Sequence, residues 1–323
     1  MRDQLRGVLT LALASAAIGG PAASARQSPA ATSVFVDDFS GAAFDRTKWN
    51  VIVTGRTVNN EQQAYVDSTD TIFVARGADA EGASNGALVI QPRWHQGTRA
   101  VSERASASEP RARSGDSGGP ASARVGGPGA QPPDQGRSFD FTSGRLESQG
   151  KVEFTHGLVS ARIKLTAGDG LWPAFWTLGN GRWPDSGEMD IMENVGDRTW
   201  TNVALHGPGY SGNTPLVKRR AFPAGTEITG WHVYSMEWTT RGFAFKVDDD
   251  EFYRVTRADV EQYGRWAYDT PKYLILNFAL GGNYPHGVNH VESPYPGIPT
   301  STVDLIKAGR AKMVVDWVKV EKR

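Results

Sequence analysis

The chain has no cysteine in 323 residues, so its fold must hold without disulfides even in an oxidising compartment. It also lacks a surplus of either charge. Its 35 Lys and Arg residues balance 35 Asp and Glu, which gives no electrostatic case for nucleic acid or for an anionic membrane surface. Long apolar runs are nearly absent. The one near the start, Val8 to Ile18, follows the net positive Met1–Arg6 and precedes Ala23-Ser24-Ala25. That order reads as a secretory signal peptide over residues 1–25 with an A-x-A cleavage site, too short to span a bilayer permanently. A mature start at Arg26 and a secreted or periplasmic protein, free of the membrane after cleavage, are expected. Helical periodicity is scarce as well, confined to short pieces near residues 257–263 and 303–308.

Period-two alternation fills that gap. Val159, Ala161, Ile163 and Leu165 oppose Ser160, Arg162 and Lys164, and Phe243, Phe245 and Val247 oppose Lys246 and Asp248 before an Asp249-Asp250 turn. These read as half-buried strands. Residues 233–238 and 312–318 follow the same pattern, while Tyr273 to Leu280 is a nearly continuous apolar strand. An antiparallel β-sandwich is the economical architecture. From about residue 95 to 138 the chain turns to Gly, Ser, Ala, Arg and Pro with almost no large apolar side chain. Such a stretch cannot bury enough surface to order itself. It is expected to be a disordered insertion, with Ala87–Ile90 before it and Phe141–Leu146 after it as neighbouring strands of one sheet. Residues 26–323 then form a single domain.

Ten tryptophans and nine tyrosines make a heavy aromatic load, and aromatic faces suit sugar rings as well as cores. The most informative stretch is Glu188-Met189-Asp190-Ile191-Met192-Glu193, three carboxylates interleaved with large apolar side chains. On a regular strand Glu188 and Asp190 share a face and Glu193 falls on the other. A β-bulge around Ile191 and Met192 restores the parity and turns all three acids into one cleft. On spacing alone the trio suits a wet strand edge or a bound cation as well as catalysis. The flanks, Trp172-Pro173-Ala174-Phe175-Trp176 before it and His206 after it, favour catalysis on sugars.

Together with Gly170-Leu171 and Asn59-Asn60-Glu61, these motifs make the chain resemble glycoside hydrolase family 16, on its bacterial laminarinase-like, endo-1,3-β-glucanase side. Thr142-Ser143-Gly144-Arg145-Leu146, Leu280-Gly281-Gly282-Asn283-Tyr284-Pro285 and Val315-Asp316-Trp317-Val318 are similar to it too. The likeness spans nearly all of residues 33–323 outside the insertion. It implies an all-β, concanavalin-like jelly-roll sandwich with a concave substrate cleft. It also implies a secreted, retaining endo-β-glucanase that cleaves β-1,3-glucan or mixed-linkage glucan through a covalent glycosyl-enzyme. Glu188 matches the nucleophile, Glu193 the general acid/base and Asp190 the assisting carboxylate. A retaining pair needs carboxyls about 5–5.5 Å apart, while four pleat positions on a straight strand span about 13 Å. The bulge, strand twist and side-chain reach must close that gap. Three like charges also raise at least one pKa, so Glu193 is expected protonated and Glu188 ionised.

The resemblance assigns substrate contacts to Asn60, Glu61, Arg145, Trp172, Trp176, Trp183 and His206, with a His206 ring nitrogen orienting Glu193. It requires no cofactor for catalysis, and places a structural calcium ion at Asp38 and Asp316, whose hard oxygens suit that ion. No His or Cys cluster in the sequence supports zinc or iron. A monomer acting on a polysaccharide is expected. Residues 286–310 depart from the family pattern and are expected to form a structured loop near one end of the cleft. The same scaffold also carries hydrolases of agarose and carrageenan, transglycosylases and non-catalytic β-glucan-binding proteins, so each of those functions stays open beside the glucanase.

Overall fold

A computed structural model describes residues 32–54, 58–100, 138–214 and 216–322. The expected signal peptide, and the expected insertion apart from its first six residues and Ser138, lie outside those residues. Among the described residues two eight-stranded antiparallel sheets stack face to face as a jelly-roll sandwich. The outer sheet runs in the order Asp250–Thr256, Gly242–Val247, His232–Thr239, Gly157–Leu165, Met313–Lys322, Ala87–Ile90, Ile72–Ala75, and Thr32–Asp37 pairs with its Met313–Lys322 strand. The second, here the site sheet, runs Val217–Ala221, Trp200–His206, Glu188–Glu193, Leu171–Gly179, Lys272–Leu280, Arg145–Glu147, Asn50–Val51, and Glu153–Phe154 pairs with its Lys272–Leu280 strand.

Alternation decides which face each residue takes. Val159, Ala161, Ile163 and Leu165 from the outer sheet meet Phe175, Leu274, Leu276 and Phe278 from the site sheet in one core, all 3% exposed or less. At about 25 cal/mol per Å² of apolar surface removed from water, a core this wide stabilises the sandwich without disulfides. The helical pieces appear at Arg257–Glu261 and Thr300–Lys307. Thr256 caps the first: its hydroxyl accepts from the Asp259 N–H while the Asp259 carboxylate accepts from the Thr256 N–H, which satisfies amide groups the helix leaves free. A third helix, Asn283–Asn289, opens the segment expected only as a structured loop. None of the described helices is long and apolar enough to cross a membrane.

Three expectations change. Residues 95–100, assigned to the insertion, belong to a strand, Arg93–Ala100, that pairs with Ser138–Ser143 in a third, three-stranded sheet. Ala87–Ile90 and Phe141–Leu146 are therefore not neighbours in one sheet. The chain leaves the small sheet at Ser143 and joins the site sheet at Arg145. Gly144 permits the switch, because a Cβ there would lie 2.4 Å from Ile72 Cγ1. The turn after Phe243–Val247 also falls one residue early, on Asp248 and Asp249, both at positive φ.

Candidate active site

The acids sit on Glu188–Glu193, between Leu171–Gly179 and Trp200–His206. Against the first neighbour, Leu178, Trp176 and Ala174 face Glu188, Asp190 and Glu193; against the second, His206, Ala204 and Asn202 do so. Both registers slip at the same place, leaving Ile191 without a counterpart. This is the bulge the parity demanded. Met189, Ile191 and Met192 all turn into the core, 2% exposed or less, and the carboxylates share the opposite face. Ala174 and Ala204 leave room beside them.

Two indoles fix the outer acids. Trp183 Nε1 donates to Glu188 Oε2 at 2.9 Å, and Trp172 Nε1 donates to Glu193 Oε1 at 3.0 Å. Asn202 adds a second donor to Glu193. His206 lies against Asp190 and Glu188, its Nε2 3.4 Å from Asp190 Oδ2 and 3.7 Å from Glu188 Oε1. The expected pairing of its ring with Glu193 is not what the register gives, since Glu193 stands opposite Asn202 and His206 opposite Glu188. Asp190 is 4% exposed, and its Oδ2 accepts no hydrogen bond.

Burial dominates the electrostatics, because a carboxylate removed from water favours its neutral form. Glu188 is pushed up to about 8, by burial first and the Asp190 charge second. Asp190 is held well above the carboxylate range by burial and by Glu193, and Glu193 is raised by burial against the pull of its Trp172 bond. Burial does not favour the expected split, with Glu193 protonated and Glu188 ionised, because it raises Glu188 as well as Glu193.

Beside the acids runs a second polar network. Trp176 Nε1 donates to Asn277 Oδ1 at 2.7 Å, and Asn277 Nδ2 donates to the Tyr65 hydroxyl at 3.0 Å. The Arg145 guanidinium packs 5.0 Å from the centre of the Trp176 ring and is salt-bridged to Glu147 at 2.5 Å. Glu61 accepts from Gln63 Nε2 at 2.7 Å, and burial pushes it up to about 7. Asn60 is exposed on a turn at positive φ. On the other flank the Tyr284 ring meets Trp172 edge-on at 5.4 Å. Asn277, Tyr65, Asn202 and Tyr284 escaped the sequence reading. Asn277 carried a signal, as the only polar side chain between Tyr273 and Leu280.

The two acids expected to bind calcium are engaged otherwise. Asp316, fully buried, accepts from the Ser84 amide at 2.7 Å, from its hydroxyl at 3.0 Å and from Arg162 Nη1 at 2.6 Å. The same Nη1 donates to the Gly82 carbonyl at 2.8 Å, and Trp231 lies under the guanidinium, 4.6 Å from its carbon. Asp38 accepts from Ser40 and from Asn85 Nδ2 at 3.0 Å. Arg76 reaches the carbonyls of Ser40, Gly41 and Asn85. Guanidinium groups thus stand among the oxygens a calcium ion would need, and the residues present do not fit that ion.

A face of three carboxylates, two of them held by indoles and all lying beside further aromatic rings, defines a carbohydrate-cleaving site. Comparison with known proteins agrees. The sequence pattern of glycosyl hydrolases family 16 matches residues 128–291. A β-glucanase of Rhodothermus marinus is 33% identical over 216 residues, covering 61% of this chain and 69% of that protein. The glucan endo-1,3-beta-glucosidase A1 of Niallia circulans is 28% identical over 90% of this chain, which spans only 37% of that longer protein. The X-ray structure of an endo-beta-1,3-glucanase from Pyrococcus furiosus superposes with a TM-score of 0.67 at 29% identity, covering 90% of this chain and 94% of that one. The chain belongs to glycosyl hydrolases family 16, and is a glycoside hydrolase.

Proposed function

We propose that the chain is a secreted, retaining endo-β-glucanase acting on β-1,3-glucan or mixed-linkage β-1,3-1,4-glucan. The observation that carries this reading is the bulge at Ile191, which turns Glu188, Asp190 and Glu193 to one face between Trp183 and Trp172. In the reaction Glu188 attacks the anomeric carbon while Glu193 gives its proton to the departing glycosidic oxygen, forming a glycosyl ester on Glu188. Glu193, now a carboxylate, takes a proton from water, whose oxygen displaces Glu188 and leaves the configuration retained. Glu188 must first surrender its own proton to water. Trp183 Nε1 favours its ionised form, and Asp190, with one free lone-pair oxygen, is placed to hold a proton against it.

Trp176, Arg145, Asn277 and Glu61 form one wall of the proposed substrate path, and Trp172 with Tyr284 the other. Secretion rests on the sequence of residues 1–25, a single domain on the compact unit Thr32–Arg323, and a monomer on the absence of any expected partner but substrate. Mass spectrometry of exported protein beginning at Arg26, and light scattering at one chain's mass, test these readings.

The decisive experiment is a digestion panel of laminarin, barley β-glucan, agarose and carrageenan, with product lengths followed over time and product anomers read by proton NMR. Internal cleavage of the first two with a β-anomer formed first is expected. An α-anomer first would refute retention, and cleavage of agarose or carrageenan alone would refute the substrate class. For Glu193→Ala, azide should restore turnover as a glycosyl azide of retained configuration. Chain lengthening at high oligosaccharide concentration would point to a transglycosylase instead.

A further inference from the structure

The sequence holds no cluster of histidines or cysteines, yet the fold brings one imidazole to two carboxylates. His206 Nε2 and one oxygen each of Glu188 and Asp190 lie within 4.8 Å of one another. Two of the separations, 3.4 Å to Asp190 and 3.7 Å to Glu188, approach what one ion would impose. A zinc ion binding nitrogen and oxygen at about 2.0–2.2 Å with tetrahedral angles holds its ligand atoms about 3.4 Å apart.

Asp190 adds an independent observation. Its side chain is 5% exposed, and its Oδ2, the atom nearest His206, is buried with no hydrogen-bond partner. A buried oxygen without a donor is costly, and a cation would satisfy it. We propose that Glu188, Asp190 and His206 form a three-ligand site for a zinc-class transition-metal ion, and that the bound ion inhibits the enzyme. The inhibition rests on the reading of Glu188 as nucleophile, whereas binding does not. A coordinated Glu188 has its attacking lone pair on the metal.

The ligand set selects the ion. One imidazole nitrogen and two oxygens suit zinc and copper, with an open position for water, while calcium takes six to eight oxygens and magnesium keeps its own water shell. The His206 Nδ1 has no acceptor behind it, so the ring lacks the outer support that usually strengthens such sites. Reversible regulation by free metal, relieved by a chelator, follows from that.

The test is calorimetric titration of the whole chain with zinc chloride, beside laminarin hydrolysis at rising zinc concentration. One ion per chain is expected, with inhibition competitive with laminarin, reversed by a chelator, and not reproduced by calcium or magnesium. His206→Gln should weaken both zinc binding and inhibition by about tenfold or more; Asp190→Asn, read by calorimetry, serves if His206→Gln does not fold. His286→Gln removes an exposed histidine–carboxylate pair elsewhere, with Glu292, and should leave the zinc response unchanged. Absence of binding heat, unchanged binding in both His206→Gln and Asp190→Asn, or a response that follows His286 would overturn the site. If no glucan is cleaved but zinc binds at His206, the proposed function fails and the metal site stands.

Discussion

Two aspartates are buried on opposite sheets of the same sandwich, and their surroundings are opposite in kind. Asp316 of the outer sheet is 0% exposed and meets Arg162, the Ser84 amide and the Ser84 hydroxyl, so every demand of its charge is met. Asp190 of the site sheet is 4% exposed, faces Glu193 and Glu188, and keeps an oxygen with no donor. A buried charge with good partners holds chain segments together, whereas a buried acid among acids is a standing cost. The difference separates the part of the molecule that maintains the fold from the part that performs the reaction.

The largest test of that contrast is chemical. Glu188→Gln should stay folded and lose activity by about three orders of magnitude or more, measured as reducing-sugar release from laminarin; retention of most turnover would remove Glu188 from its role. Next comes the outer sheet. Arg162→Ala leaves Asp316 buried without its cation and should destabilise by about 3 kcal/mol, at the low end of such losses because the Arg162 side chain is 27% exposed. Denaturant titration measures the loss, and activity at room temperature should be kept. A chelator should leave the melting temperature of the unaltered chain where it is, since guanidinium groups stand where the ion would.

A smaller effect has a sign that sharpens the comparison. Folded Glu188 keeps its proton to about pH 8, while in the unfolded chain it gives it up near the ordinary 4.5. Between those values the folded form binds more protons, so stability falls as pH rises through the window. Glutamine has no proton to lose. Glu188→Gln should therefore melt higher than the parent at pH 8, with the gap closing at about pH 4; scanning calorimetry at both pH values checks it, and a lower melting point at pH 8 would contradict the burial argument. Least of all, Asn277→Ala should raise KM for laminarin by up to about tenfold with kcat nearly unchanged, because the hydrogen bonds it makes to Trp176 and Tyr65 are each worth about 1 kcal/mol.

The sandwich was legible because alternation is local: each of Val159 to Leu165 and Phe243 to Val247 announces its face through its neighbours. The bulge was legible for the same reason, as an arithmetic conflict among Glu188, Asp190 and Glu193. The switch at Gly144 was not, since it depends on Ile72, far away in sequence. The partner of His206 was also hidden, because register across strands decides it. Likewise Arg162 read as an ordinary outward residue of an alternating strand, and only the fold shows Asp316 and Gly82 on either side of it. The ionisation of Glu188 was misread for a related reason: neighbouring charges are visible in a sequence, whereas the depth of burial that outweighs them is not.

Ile191 divides its strand into two reading frames. Residues before it place acids on even positions, and residues after it place them on odd ones. Removing that residue would bring back ordinary alternation with every carboxylate still on the one face, because Met192 would take the inward position after Asp190 and Glu193 the next outward one; a regular strand that kept Ile191 would send Glu193 toward the hydrophobic interior. Along this strand, then, what is inherited as function is the parity of pleat positions between Asp190 and Glu193, and the extra residue is tolerated only because the bulge takes it out of the count.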